Sequence, residues 1–102
     1  MDDMAGAWIF QANPNIYDLQ TALESGQRTF RWSVNQRKEH IQADDRVYLW
    51  QSGSDGGLLA QGTLLSGPQM MEDGEEMRFY VSPNQGGEAL RVELRIDTVL
   101  YQ

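Results

Sequence analysis

The clearest alternation in the chain lies near its end. In residues 90–100, LRVELRIDTVL, Leu90, Val92, Leu94, Ile96 and Leu100 are expected to point inward. Arg91, Glu93, Arg95 and Asp97 fall between them, which predicts a half-exposed strand. The same period of two runs through 29–34, TFRWSV, where Phe30, Trp32 and Val34 share one face. In 46–51, RVYLWQ, Val47 and Leu49 oppose Tyr48 and Trp50, so both faces are apolar and the strand is expected to be central or part of a closed barrel. Residues 58–65, LLAQGTLL, predict a further strand with Gly62 at a bulge or close approach. Residues 78–81 predict a short one.

The apolar run 7–12, AWIFQA, suits a buried strand with Trp8 in the core. Asn13-Pro14-Asn15 ends it, because proline cannot donate to a ladder and asparagine favours turns. Asp18 is then placed to cap a short helix with Leu19, Ala22 and Leu23 on one face, and Gly26 supplies a left-handed residue after its end. SGSDGG at 52–57, Gly67-Pro68 and the SPNQGG segment are turn chemistry.

Five to six strands with a short helix after the first predict an α+β, mostly-β fold, a small barrel with the helix at its mouth. At 102 residues the chain is expected to form a single domain over 1–102. Its last residues still read as strand, which predicts a C-terminus truncated relative to a larger fold.

Composition narrows the chemistry. With no cysteine and His40 as the only histidine, neither disulfides, a zinc centre nor a histidine-dependent catalytic site is expected; no metal and no cofactor are implied. No run approaches the roughly 18 apolar residues of a membrane helix, and MDDMAGAW is no signal peptide, so a cytoplasmic, non-membrane protein is the default. The net charge of −7 argues against nucleic acid, yet it is unevenly spread. Residues 26–43 carry Arg28, Arg31, Arg37 and Lys38 against one acid, Glu39, whereas MEDGEEM at 71–77 holds four acids in an expected loop.

Trp32 and Trp50 are each followed by short polar groups: Ser33 and Asn35 after the first, Gln51 and Ser52 after the second. An indole offers a flat π-face, and neighbouring hydroxyls or amides can read the edge of a ring stacked on it. The plainer alternative, two aromatics packed beneath a helix, stays open on composition alone. The basic cluster is equally consistent with a solvated strand face.

Together, WIFQANPNIYDLQTALESG, FRWSVNQRKEHIQADDRVYLWQSG and GGLLAQGTLLS resemble an EVE domain, a family of the PUA-like superfamily related to the YTH readers. The likeness spans about residues 8 to 66 and includes the Asn-Pro turn, the Trp-x-Val-Asn strand and the Asp-x-Val-x-x-Trp-x-Ser-Gly strand and turn. Ala43-Asp44-Asp45 stands where the family has glycine before the aspartate. The resemblance implies a PUA-like barrel and a pocket for a modified base, chiefly modified cytosine in DNA. By motif position it puts Trp32, Ser33, Asn35, Trp50, Ser52 and Gly53 at that pocket, with Asn13 and Pro14 above it. Such domains serve as specificity modules of modification-dependent restriction systems, fused to a nuclease or a nucleoside-triphosphate-driven motor. They usually continue into a C-terminal segment beyond the point where this chain ends.

The expectation is therefore a non-catalytic reader, monomeric or weakly dimeric, that takes a flipped modified base from DNA more readily than from RNA. Arg28, Arg31, Arg37 and Lys38 would contact the flanking phosphates, which position without specifying. The competing expectation is an acidic protein-interaction or regulatory module of the same fold that binds no nucleic acid. A carboxylate enzyme ranks last, because no pair of acids sits in a setting that raises a pKa.

Overall fold

The alternating segments pair into one sheet in a computed structural model, which describes residues 6–34, 40–54, 56–72, 74–81 and 88–100. Its strands are β1 (Ala7–Ala12), β2 (Thr29–Ser33), β3 (Arg46–Gln51), β4 (Gly57–Leu64), β5 (Gln69–Met71) and β6 (Ala89–Val99). They run in the order β1-β3-β4-β6-β2, with β5 added beside β6. Among the described residues, only β1 and β3 pair in parallel. The sheet curls into a half-barrel, so the mostly-β α+β class with a short helix after the first strand is observed. Among the described residues, no helix is long and apolar enough to cross a membrane.

The helix α1 (Leu19–Glu24) forms from the predicted signals. Asp18 accepts the Thr21 N–H at 3.1 Å, filling one of the donors left open at a helix start. At the other end Gly26 takes φ +95°, and Gly26 and Gln27 donate to the Leu23 and Ala22 carbonyls, a Schellman closure. Two turns have little intrinsic stability, so burial of Leu19, Ala22 and Leu23 against the sheet's concave face holds the helix in place.

The concave core includes Phe10, Phe30, Leu49, Leu64, Val92 and Leu94, all from alternating strand positions. Gly62 behaves as expected. The β4–β6 register shifts beside it, and an added Cβ would collide with the Arg95 carbonyl. The extra residue reverses the sidedness of β6, so Val99 packs on the core and Leu100, expected inward, is exposed.

Three other expectations change. β1 is an edge strand rather than a strand buried on both faces, and its Ile9 is 68% exposed. Residues 78–81 form no strand. A 3₁₀ helix, Glu75–Phe79, takes the first two residues of that segment and leaves Tyr80 in a single bridge to Tyr17. Trp8 is only partly buried, because its indole N–H must reach the Asp45 carboxylate at 2.9 Å.

Candidate functional site

β1 and β2 are the two ends of the strand order, and each pairs with one described strand: β1 with β3, β2 with β6. Curling brings these ends together without a ladder between them. Phe10 of β1 and Trp32 of β2 stack across the gap with ring centroids 6.0 Å apart and planes 21° from parallel. Beyond that contact the seam stays open as a cavity of about 220 Å³. This is below the roughly 300–1,000 Å³ of sites for drug-sized ligands, and suits one small planar ring.

The wall is aromatic. Trp32 lines it, Tyr17 meets Trp32 edge-on at 6.3 Å, and Tyr80 meets Tyr17 edge-on at 4.9 Å. Tyr17 follows the Asn13-Pro14-Asn15 turn, which is tightened by the Ile16 and Tyr17 N–H groups donating to the Asn13 carbonyl. Tyr80 follows the 3₁₀ helix, and the Phe79 carbonyl, accepting from Asp18 N–H, fastens that segment to the start of α1. Neither tyrosine was singled out from sequence. The signal available for Tyr17 was its position just past the Asn-Pro turn; Tyr80 meets the site only through tertiary structure.

The polar rim comes from Asn13, Arg31 and Ser33, with Gln11 beside them. The carbonyls of Gly6, just before β1, and of Ala12, at its end, accept from the Arg46 and Ser52 N–H groups, so both face β3. Strand alternation then turns the Gln11 main chain toward the open seam. Arg31 donates to the Glu72 carbonyl at 3.1 Å. Ser33 Oγ accepts from Arg91, a residue only 5% exposed whose Nε also donates to the Met71 carbonyl.

The residues predicted by motif position divide accordingly. Trp32, Ser33, Asn13 and Arg31, the last expected at phosphates, line the cavity. Trp50 does not. It stands opposite Leu58 on the convex face and is 43% exposed, because Val47 and Leu49 take the core side of β3. Ser52 is bonded to the Ala12 carbonyl through its N–H, and Gly53 takes φ +106° in the turn near Pro14; all three brace the end of β1 beside the cavity without lining it. Arg28 is held at the C-terminus of α1, donating to the Leu23 and Gln27 carbonyls. Asn35, Arg37 and Lys38 lie outside the described residues.

A second concavity lies on the convex face, lined by Asp44, Arg46, Gln61, Thr63 and Asp97. There Thr63 Oγ1 donates to Asp97 at 2.6 Å, which, with Arg95 Nε at 2.8 Å, holds the Asp97 carboxyl below its ordinary range. Among the described residues, no three histidine, cysteine, aspartate or glutamate side chains gather as metal ligands.

Fold and site together describe a half-barrel with an aromatic slot at its open seam. Comparison with known proteins finds no matching family model, curated protein or solved structure.

Proposed function

We propose that this protein is a non-catalytic nucleic-acid reader that takes a flipped, modified base into the slot between β1 and β2. The observation that carries the reading is the slot itself: space for one ring, an aromatic wall of Tyr17, Trp32 and Tyr80, and a polar rim at Asn13 and Ser33. A modified cytosine in DNA is the favoured ligand on the resemblance to EVE domains, as is a role as specificity module beside a nuclease or motor. A further detail supports that resemblance. Asp44, at the position where the family has glycine, adopts φ +74°, a backbone conformation that favours glycine.

Extruding a base costs a few kcal/mol, least where pairing is already weakened. Stacking on an aromatic wall returns about 1–3 kcal/mol, and rim groups reading the base edge add discrimination. Arg31, beside the slot, can also reach the backbone of the extruded nucleotide. The experiment is a titration of a short duplex carrying one unmodified, methylated or hydroxymethylated cytosine, followed by tryptophan emission. Preferential quenching by one duplex, weakening steeply with salt, supports the reading. Equal affinity for all three refutes it.

A second reading has its own observation. Ile9, Trp50 and Leu58 are 68%, 43% and 39% exposed, and strand pairing places them on the convex face. Such a patch suits a protein partner. That reading predicts association insensitive to DNA and lost in Trp50→Ser, with the slot untouched.

A further inference from the structure

The hydrogen bonds around the slot determine which of its groups can still donate and which can still accept. Arg91 Nη1 lies 3.0 Å from Ser33 Oγ. A guanidinium has no acceptor, so the serine oxygen must accept there, and the hydroxyl proton is left to donate elsewhere. Asn13 Oδ1 accepts the Asn15 N–H at 2.9 Å, which fixes the orientation of the amide and leaves its nitrogen as a donor. Arg31, which already donates to the Glu72 carbonyl, carries only donors.

Two of the nearby backbone acceptors are already engaged. The Ala12 carbonyl receives the Ser52 N–H at 2.9 Å and its hydroxyl at 3.3 Å. The Asn13 carbonyl receives the Ile16 and Tyr17 N–H groups at 2.8 and 2.9 Å. The Gln11 main chain supplies one donor and one acceptor, and the Gln11 amide and tyrosine hydroxyls can act in either sense. Apart from the Gln11 carbonyl, which accepts, the rim groups with a constrained sense are donors: the Asn13 amide nitrogen, Arg31 and the Ser33 hydroxyl proton. The buried Arg91 adds its positive charge behind Ser33, whereas Glu93 stands across from Arg31 in the β2–β6 register and offsets that guanidinium, so the positive side of the rim is at Ser33.

We infer that the slot selects a pyrimidine whose exocyclic substituent accepts hydrogen bonds or carries negative charge, such as a 5-carboxyl or 5-formyl group, over one carrying a methyl. This rests on the reader proposal and narrows its ligand. Asn13 and Ser33 are then the specificity-determining side chains, donating to the substituent while the ring lies against the aromatic wall. An N4-methylated cytosine or N6-methylated adenine, which adds bulk to a donor edge, is disfavoured by the same groups.

The test uses the whole chain and two ligand series: duplexes with a single cytosine, 5-methylcytosine or 5-carboxylcytosine, and the corresponding free nucleosides. Hydrogen bonds to a charged group predict at least about tenfold tighter binding of the carboxyl duplex than of the methyl duplex. Asn13→Asp keeps the oxygen that closes the turn but replaces the donor with a negative charge, so it should abolish that advantage while circular dichroism stays unchanged. Selective binding that favours methyl, or a carboxyl advantage untouched by N13D, overturns the inference and leaves the reader proposal standing. Equal affinity for all duplexes overturns the reader proposal instead. The nucleosides then decide separately: tighter binding of the carboxyl nucleoside supports the donor slot, and indifference to all three overturns it.

Discussion

Asp44 offers a test in which the sign of the effect, not only its size, is set by the backbone. Its φ of +74° lies in the left-handed region, and its N–H donates to the Leu64 carbonyl at 2.7 Å just before β3 begins. That bond and the following Asp45 N–H to the Gln42 carbonyl at 3.2 Å hold the turn in this conformation. An L-residue there costs about 1–2 kcal/mol, and aspartate falls toward the low end because it tolerates the region better than most. Glycine removes this cost but adds roughly 0.5–1 kcal/mol of unfolded-state freedom. Removing one negative charge from a chain of net charge −7 acts slightly in favour. The balance predicts that Asp44→Gly stabilises by up to about 0.5 kcal/mol, raising the melting temperature by up to about 4 °C. Asp44→Ala, which loses the aspartate's tolerance without gaining glycine's freedom, should destabilise by about 1 kcal/mol. Urea denaturation at neutral pH followed by far-ultraviolet circular dichroism measures both variants. A stabilising alanine, or a destabilising glycine, would refute the reasoning from backbone strain.

Trp32→Ala removes a half-buried indole that touches Phe10 and Tyr17, and should cost about 2–3 kcal/mol in a urea titration, toward the low side for aromatic truncations. Gly62→Ala forces a Cβ onto the Arg95 carbonyl in the β4–β6 pair, and is expected to lose about 1–3 kcal/mol by thermal unfolding; wild-type stability would contradict the observed register. Asp97 is held below its ordinary pKa first by the Thr63 hydroxyl and then by Arg95, so its contribution is full above the unfolded carboxylate pKa of about 3.9 and vanishes as pH falls through the folded value. The stability gap between wild type and Thr63→Val should therefore be largest near neutrality and narrow in acid, as urea midpoints across pH will report.

What was legible in the chain was local. Asp18 and Gly26 mark the two ends of α1 because each meets a hydrogen-bonding need of the helix terminus, and those needs are met within a few residues. The alternation of β2 and of residues 92–97 in β6 identifies their core face, whereas Arg91, expected outward, is buried because it bonds Ser33 and the Met71 carbonyl. β3 resists the same treatment, because Tyr48 and Trp50 are as apolar as Val47 and Leu49, and nothing in the pattern says which pair faces solvent. Motif position puts Trp50 at the slot, and the period of β3 offers no check on it; the residue lies on the convex face. β5 spans three residues, too few to show a period, and the 3₁₀ helix grows out of a segment that reads as an acidic loop.

The candidate site was half legible for the same reason. Trp32, Ser33 and Asn13 are carried by strand and turn motifs, but the slot also needs Tyr80 beside Tyr17, a pair joined across the fold. The Ser33–Arg91 bond depends on the β2–β6 register, and so does the inferred direction of hydrogen bonding at the rim.

The central claim is that a base leaves the duplex and enters the slot. A duplex with the fluorescent base 2-aminopurine stacked directly beside the modified cytosine reports this event. Its emission rises when the neighbouring base departs. The account predicts a rise on binding of the wild-type protein to the modified duplex, absent with the unmodified duplex and absent with Trp32→Ala. Saturable binding of the modified duplex with unchanged emission would contradict it.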